Sequence, residues 1–295
     1  MDELTLSNQF NVQNEEDFEK LCLDQPQTDC PVTHIFGPGL YIREMFIPAN
    51  TWIVGHKHKH ATLNVMIKGR IKVMLGDGTY QELVAPITFT SAPGRKIAIT
   101  SEDTIWQNVW STNERDVNKL EDMFLDKTEF AQQRLPQFVK HEQLLLDYKT
   151  DTNFNMLLDE LDMTKEQIDT IAHDMRDHID LPYGSYKFKV DKSPIEGDGV
   201  FATSDIAAEE LIGPANINGF RTVLGRKVNH AVPPNAMMIR MPNGDINLYA
   251  TQPIRGAYGC DIGEEITVDY RFTLLTMNPG KTLQEIKGIL LCQQE

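Results

Sequence analysis

Three short stretches in the second half of the chain combine residue types suited to binding a cofactor and transferring a group. The last of them, GEEITVDY, is predicted to be a turn followed by a short strand that ends at Tyr270, beside an aspartate. A tyrosine hydroxyl is uncharged at neutral pH and can orient an amine by hydrogen bonding. Tyr270 is therefore the candidate catalytic residue, and a packing role in the core is the alternative.

The other two stretches hold the candidate cofactor-binding residues. In SPIEGDGVFA, Gly197 and Gly199 flank Asp198 between strand-like residues. Glycines this close together let a backbone approach a ligand and adopt positive φ. In GRKVNHAVPPNA, Asn229 and His230 stand just before a Pro-Pro turn, in a stiff irregular segment. Each stretch alone is also compatible with an ordinary turn.

Together, the order and spacing of GDGVFA, VNHA and GEEITVDY resemble the SET domain of protein lysine methyltransferases, over about residues 186–271. The resemblance implies a protein-lysine N-methyltransferase that depends on S-adenosyl-L-methionine, with Tyr270 lining the methyl-transfer channel. It also implies a pseudoknot, in which the strand ending at Tyr270 threads near the Asn-His pair. The cofactor positions that it implies are Gly197, Asp198, Gly199, Asn229 and His230.

The sequence departs from the SET pattern in three places. Ala231 stands where a serine or cysteine commonly follows the Asn-His pair, and the span from Ala250 to Gly263 is longer than usual. No cysteine cluster flanks the region, so the zinc-bound lid found in many members is not expected. These departures motivate an alternative hypothesis, a catalytically inactive structural or adaptor protein, for instance a viral one.

A second group of residues with possible chemistry lies in the first half of the chain. In GHKHKHATLNVMIKG, His56, His58 and His60 occupy alternate positions, so on a strand all three would face one side. With APG further on, this stretch resembles the first motif of the cupin fold, and Gly69 fits its glycine. Thr62 stands at the position expected for a glutamate, and the later histidine is missing from RKIAIT.

Two histidines form an incomplete metal cage, because catalytic metal sites usually use three protein ligands. No firm metal site is therefore predicted, and His56 and His58 remain candidates, with His60 as a conceivable third ligand. A metal-dependent cupin oxygenase or isomerase is a third hypothesis for the whole protein. The other interpretation is a polar cluster inside a barrel that serves small-ligand binding or oligomerisation, and a homo-oligomer is expected.

The sequence around these candidate residues predicts the strands that position them. Short strand-like runs such as LYIREMFI and TIWQNVW alternate with turn signals in the first half, and strands and glycine turns return in the second half. The prediction is a mainly β protein with a cupin-like β-barrel and a SET-type β fold with a pseudoknot. The expected units are an N-terminal arm (1–33), the cupin-like barrel (34–125), a helical connector (126–182) and the SET-like domain with a C-terminal helix (183–295).

Helices are predicted where apolar residues recur at helical spacing. VNKLEDMFL and NFNMLLDELDM are examples, and each unit of the chain is expected to bury its own core. Two stretches carry the capping box, in which two side chains satisfy each other's free backbone N–H groups. They are TKEQ, with Thr164 and Gln167, and TLQE, with Thr282 and Glu285.

Composition narrows the classes of partner. The net charge of −15 and the lack of a Lys/Arg cluster argue against nucleic acid. Residues 181–295 carry 11 Lys and Arg against 13 Asp and Glu, so most of the negative charge falls on residues 1–180 and favours a basic protein substrate.

No apolar run is long enough for a membrane span, and the acidic N-terminus does not resemble a secretory signal. A cytoplasmic protein is therefore expected, with four reduced cysteines that lack C-x-x-C spacing.

Overall fold

The structure is a computed structural model, and it describes residues 15–23, 25–74, 79–126, 153–257 and 262–292. These residues are mainly β, as predicted, with short helices between and after the strands. The helices are α1 (Glu15–Leu23), α2 (Val117–Phe124), α3 (residues 153–161), α4 (Lys165–His173), α5 (Val223–Lys227), α6 (Tyr270–Met277) and α7 (Leu283–Cys292).

The strands of the first half follow the predicted apolar runs closely; LYIREMFI, for example, forms a single strand. They are β1 (Val32–Gly37), β2 (Leu40–Ile47), β3 (Trp52–Val54), β4 (Lys57–His58), β5 (Thr62–Lys68), β6 (Arg70–Met74), β7 (Tyr80–Val84), β8 (Ile87–Ser91), β9 (Ile97–Thr100), β10 (Thr104–Ser111) and β11 (Leu125–Asp126).

Shorter strands make up the second half. They are β12 (Gly184–Tyr186), β13 (Phe188–Lys192), β14 (Asp198–Ala202), β15 (Leu211–Ile217), β16 (Phe220–Arg221), β17 (Asn229–His230), β18 (Ala236–Arg240), β19 (Ile246–Ala250) and β20 (Glu265–Val268).

Two antiparallel sheets face each other in the first half and form a unit that we call the N-terminal sandwich. One sheet has the strand order β12-β1-β2-β10-β5-β8 and the other β3-β9-β6-β7. Among the described strands no hydrogen-bonded ladder joins these two sheets into one closed barrel, so the predicted barrel takes the form of two facing sheets. Side chains from both sheets fill the space between them: Ile47, Met66, Ile71, Leu83, Ala98 and Trp106.

Besides the core of the N-terminal sandwich, a second apolar cluster is shared by the two halves of the chain. Strand β12 joins the larger sheet of the N-terminal sandwich, where Tyr186 lies opposite His34 of β1. The ring of Tyr186 lies 6.2 Å from that of Phe36, which stacks on Tyr41 at 5.4 Å. One continuous apolar cluster therefore includes side chains from both halves.

The second half contains two four-stranded sheets, ordered β13-β14-β20-β17 and β16-β15-β19-β18. Strands β17 and β20 pair in parallel, with Asn229 opposite Thr267 and His230 opposite Val268. A parallel pair needs a long crossover, and here residues 231–264 supply it. This pairing places the second and third candidate stretches side by side, and the first stretch, on β14, pairs with β20.

Both predicted capping boxes are present. Helix α4 begins after Thr164, whose side chain accepts a hydrogen bond from the Gln167 backbone N–H while the Gln167 side chain accepts one from the Thr164 backbone N–H. Thr282 and Glu285 make the same reciprocal pair before α7. Residues 127–152 of the expected helical connector lie outside the described residues, which include its later part with α3 and α4. In the part of the chain that the structure describes, no helix has the length and apolarity needed to cross a membrane.

Candidate functional site

The catalytic candidate occupies a different element from the one predicted. Strand β20 ends at Val268 and not at Tyr270, which is the first residue of helix α6. The side chain of Asp269 accepts a hydrogen bond from the backbone N–H of Arg271 at 2.8 Å and so caps this helix. An aspartate at this position satisfies a free helical N–H group, which favours a helix start over a longer strand.

Tyr270 is held at both its backbone and its hydroxyl group. Its backbone N–H donates to Nδ1 of His230 at 3.1 Å, and its hydroxyl donates to the carbonyl oxygen of Val228 at 3.2 Å. The ring lies 5.2 Å from that of His230 and 6.2 Å, edge to face, from that of Phe154. Burial, and to a lesser extent the charge of Glu265, raises the pKa of Tyr270, so its hydroxyl stays protonated at neutral pH.

The ring of His230 orients Tyr270 by accepting from its backbone. Because the Tyr270 N–H can only donate, Nδ1 of His230 is unprotonated and the ring proton lies on Nε2. Nε2 then donates to Oδ1 of Asn153 at 3.1 Å. Burial lowers the pKa of His230, against an opposing effect of Asp269, so the ring is neutral. Both ring nitrogens are therefore engaged within the protein.

The side chain of Asn229 ties the glycine turn to β20. Its amide donates to the carbonyl oxygen of Glu196 at 3.0 Å and to Oε1 of Glu265 at 2.8 Å. Ser193 also donates to the carboxylate of Glu265, at 2.8 Å. Burial raises the pKa of Glu265, and the hydrogen bonds from Asn229 and Ser193 oppose that rise. Asn229 therefore fixes the shape of the turn that carries the predicted cofactor positions.

The GDG turn needs both of its glycines, for different reasons. Gly197 has φ +53°, and a Cβ there would meet no atom within 4 Å, so the turn faces open space. A Cβ on Gly199 would lie 2.2 Å from Oε1 of Glu265. Asp198 forms ion pairs with Lys192 at 2.6 Å and Lys227 at 2.9 Å, which lower the pKa of its carboxyl group.

Sequence reasoning missed the residues that support these positions. Asn235 accepts from the backbone N–H of Thr267 and donates to the carbonyl oxygen of Glu265, each at 2.8 Å, so it holds the backbone of β20. Its place after the Pro-Pro turn was a usable signal, since asparagine there commonly bonds to backbone. Asn153 gave no such signal, because 77 positions separate it from His230, its hydrogen-bonding partner.

The three histidines of the first half do not all face one side as predicted. Only His58 is buried, whereas His56 and His60 are exposed. Strand β4 is two residues long, so the regular alternation of a strand does not extend to its neighbours. The hydroxyl of Thr62 donates to the carbonyl oxygen of His60 at 3.1 Å and accepts from Nδ1 of His58 at 2.8 Å.

A cavity between the two sheets of the N-terminal sandwich includes His56 and His58 in its wall. It holds about 70 Å³ of space. Its remaining lining residues are Arg43, Met45, Ile47, Ile53, Gly55, Ile71, Val73, Lys96, Ala98, Trp106, Asn108 and Leu125.

This cavity does not fit a metal ion. Within the described ranges, no three His, Cys, Asp or Glu side chains are grouped so that they could hold one. The cations Arg43 and Lys96 line the same space as His56 and His58 and would repel a metal ion. The two histidines therefore lack both a third ligand and a suitable electrostatic environment.

No protein-family model matches the sequence, and no curated protein matches it either. Several solved structures with similarity to part of the chain are described as cupin or double-stranded β-helix proteins. A cupin domain from Bordetella pertussis shares 13% of its residues, over 30% of this chain and 98% of that chain, with a TM-score of 0.26. An RmlC-like cupin from Methanocaldococcus jannaschii shares 15%, over 33% of this chain and 91% of that chain, also with a TM-score of 0.26. A Klebsiella pneumoniae protein with a double-stranded β-helix domain shares 16%, over 39% and 93%, with the same TM-score of 0.26. Likeness at this level transfers no substrate, metal or activity.

Proposed function

We propose that the protein is an S-adenosyl-L-methionine-dependent protein-lysine N-methyltransferase with Tyr270 at its methyl-transfer channel. The observation that supports this most is the parallel pairing of β17 with β20, which sets the Asn-His pair beside the start of α6. As a consequence the Tyr270 hydroxyl meets the carbonyl oxygen of Val228, the residue just before Asn229. The proposal includes a SET-type fold with a pseudoknot for the second half and a cupin-like fold for the N-terminal sandwich.

S-adenosyl-L-methionine would be held by the GDG turn and by the backbone beside Asn229 and His230. The open side of Gly197 leaves room for a ligand against the turn. The side chains of Asn229 and His230 are engaged in holding backbone, so they act as positioning residues in this proposal. When bound, the cofactor supplies a methyl group on a positively charged sulfur, which leaves as a neutral thioether.

The residues around Tyr270 suit an uncharged amine that accepts a methyl group. A lysine side chain, with a reference pKa of about 10.4, must release its proton to solvent before its lone pair can react, and a desolvating channel favours that loss. The Tyr270 hydroxyl and the Val228 carbonyl then present hydrogen-bonding oxygens to the amine in a partly buried, aromatic setting with Phe154 and His230. Such alignment contributes up to about 7–11 kcal/mol to rate in well-oriented reactions.

The proposed substrate is a lysine-bearing protein with a basic surface. The acidity of residues 1–180 supports this choice, because it attracts a positively charged partner at long range. We also propose a homo-oligomer, for which the outer strands β7 and β8 offer unpaired sheet edges.

Label transfer from S-adenosyl-L-methionine to a degenerate peptide library with a fixed central lysine tests the proposal. We expect transfer to this library and none to the same library with arginine in place of lysine. Tyr270→Phe removes only the hydroxyl and keeps the ring contacts, and it should lower the rate roughly 100-fold, since small losses of alignment have effects of that size. Tyr183→Phe is the matched control, because Tyr183 is exposed and stacks on Arg115 through its ring.

Unchanged transfer by Tyr270→Phe would overturn the role of that hydroxyl. Absence of both transfer and cofactor binding in the intact protein would overturn the proposed activity. That result would favour the alternative, a structural or adaptor protein without turnover.

A further inference from the structure

The cavity of the N-terminal sandwich brings two positive charges together without an anion. Nε of Arg43, from β2, and Nζ of Lys96, just before β9, are both buried and have no hydrogen-bond partner in the part of the chain that the structure describes. Nη1 of Arg43 makes a long contact of 4.0 Å with the sulfur of Met45. Among the described residues that line the cavity, none is an aspartate or a glutamate.

Leaving cationic groups buried and unpaired is unfavourable, because each loses its hydration without a compensating interaction. The effect is visible on the ionisable groups of the cavity. Burial lowers the pKa of Lys96. Burial also lowers the pKa of His58 to about 3, with further lowering from Lys96, Arg43 and His56. The charges of Lys96 and Arg43 therefore both act on His58 within one small space, and an anion placed there would compensate the two cations.

Apart from Asn108 and the two histidines, the rest of the wall is apolar and limits the ligand. Aliphatic side chains and one indole face the space, from Ile47, Ile53, Ile71, Val73 and Trp106. The cavity holds about 70 Å³. A single water needs roughly 10–15 Å³ on this measure, so the space corresponds to a short molecule of several heavy atoms.

We propose that this cavity binds a small aliphatic monocarboxylate, with its carboxylate between Arg43 and Lys96 and its hydrocarbon part against the apolar wall. A guanidinium presents a planar pair of N–H donors that matches a carboxylate, and a buried ammonium adds a second charge-assisted hydrogen bond. Inorganic phosphate has the charge and lacks the apolar part, so most of this wall would stay uncovered. The site is distinct from the methyl-transfer site and does not depend on the proposed activity.

Calorimetric titration of the full chain with isovalerate tests the site, with isovaleramide and inorganic phosphate as competing probes. Isovaleramide has the same shape without the charge, so we expect it to bind roughly ten- to a hundredfold more weakly than isovalerate. Phosphate is expected to bind more weakly than isovalerate as well. Equal binding of the amide, tighter binding of phosphate, or no binding of isovalerate at millimolar concentration would each overturn the proposal.

Two variants locate the binding in the cavity. Lys96→Met keeps most of the side-chain volume and removes the charge, and it should weaken isovalerate binding at least about tenfold. Lys68→Met is the matched control, because Lys68 is exposed on β5, and it should bind as the unchanged protein does. A thermal-unfolding scan without ligand establishes that each variant is folded. Equal isovalerate affinity in a folded Lys96→Met variant would overturn the assignment.

Discussion

Two polar clusters of this protein, one at the start of α6 and one in the cavity of the N-terminal sandwich, differ in whether their buried groups have hydrogen-bonding partners. At the start of α6 nearly every polar side chain has a partner within the protein, as Asn229, Glu265 and His230 illustrate. In the N-terminal sandwich, Arg43 and Lys96 each bury a nitrogen that has no such partner among the described residues. Both regions lie on short β-strands around an apolar cluster.

The difference separates two ways of building a binding site. A paired polar cluster fixes backbone geometry, which suits a site where a cofactor contacts main-chain atoms and a hydroxyl must be aligned. An unpaired cluster keeps buried charges without hydrogen-bonding partners, which is unfavourable, and a ligand of opposite charge can supply those partners. Perturbing each cluster should therefore have opposite effects on the stability of the ligand-free protein.

Acidification should produce the largest change in the stability of the protein, because both halves contain buried neutral histidines. Nδ1 of His34 lies 2.7 Å from the Tyr41 hydroxyl, and burial, followed by the charge of Arg43, lowers the pKa of His34 from 6.5 to about 3. Between these two values the unfolded chain binds a proton that the folded chain does not, so stability falls as the pH falls. We expect a loss of about 1.4 kcal/mol per pH unit for this residue below pH 6.5. His230 adds to the loss, because its pKa is lowered too.

Urea unfolding at a series of pH values measures this slope. His34→Gln should reduce the slope below pH 6.5, because it removes the group whose pKa folding lowers. A slope that His34→Gln does not alter would mean that the folded and unfolded chains protonate His34 alike, which contradicts its burial as a neutral ring.

Asn229→Ala should destabilise the protein by about 2 kcal/mol, because it removes a hydrogen bond to the partly buried Glu265 carboxylate. Equilibrium unfolding of the variant measures the loss, with Asn243→Ala in an exposed turn as the control. The double variant Asn229→Ala/Glu265→Ala should lose less than the sum of the two single changes, because the stranded carboxylate is gone. Strict additivity would show that the two side chains do not depend on each other.

The smallest change in stability is expected from a substitution in the cavity, and it should be a stabilisation. Lys96→Met should raise the free energy of unfolding by roughly 1 kcal/mol, since it removes a buried charge without a partner and keeps the volume filled. The same unfolding experiment applies, with Lys68→Met as the control. A clear loss of stability in Lys96→Met would mean that the Lys96 ammonium group makes a stabilising interaction in the folded protein. The two regions would then not differ in the way described.

Local signals in the sequence predicted the local structure well. The helix caps at Thr164 and Thr282 and the strand β2 depend on interactions between residues a few positions apart. The neighbouring residues in the sequence are therefore enough to predict them. The end of β20 was misjudged by two residues, because the helix cap at Asp269 competes with strand pairing and wins.

Long-range features were the ones that the sequence did not predict. The shared core depends on Tyr186 meeting Phe36, and the support of His230 depends on Asn153, pairs that only the folded chain brings together. The cavity cations were missed for a related reason. Arg43 lies within an ordinary strand pattern and Lys96 follows a turn, so neither residue type nor spacing marks them as buried.

Calorimetric titration of the intact protein with S-adenosyl-L-methionine is the most direct test of the proposed cofactor site, with adenosine and free methionine as controls. We expect saturable binding of one molecule per chain, retained by Tyr270→Phe and weakened by Asn229→Ala in its folded state, because Asn229 shapes the turn. No binding at millimolar cofactor would contradict the proposed methyltransferase activity, and Tyr270 would then be a packing residue at the start of a helix.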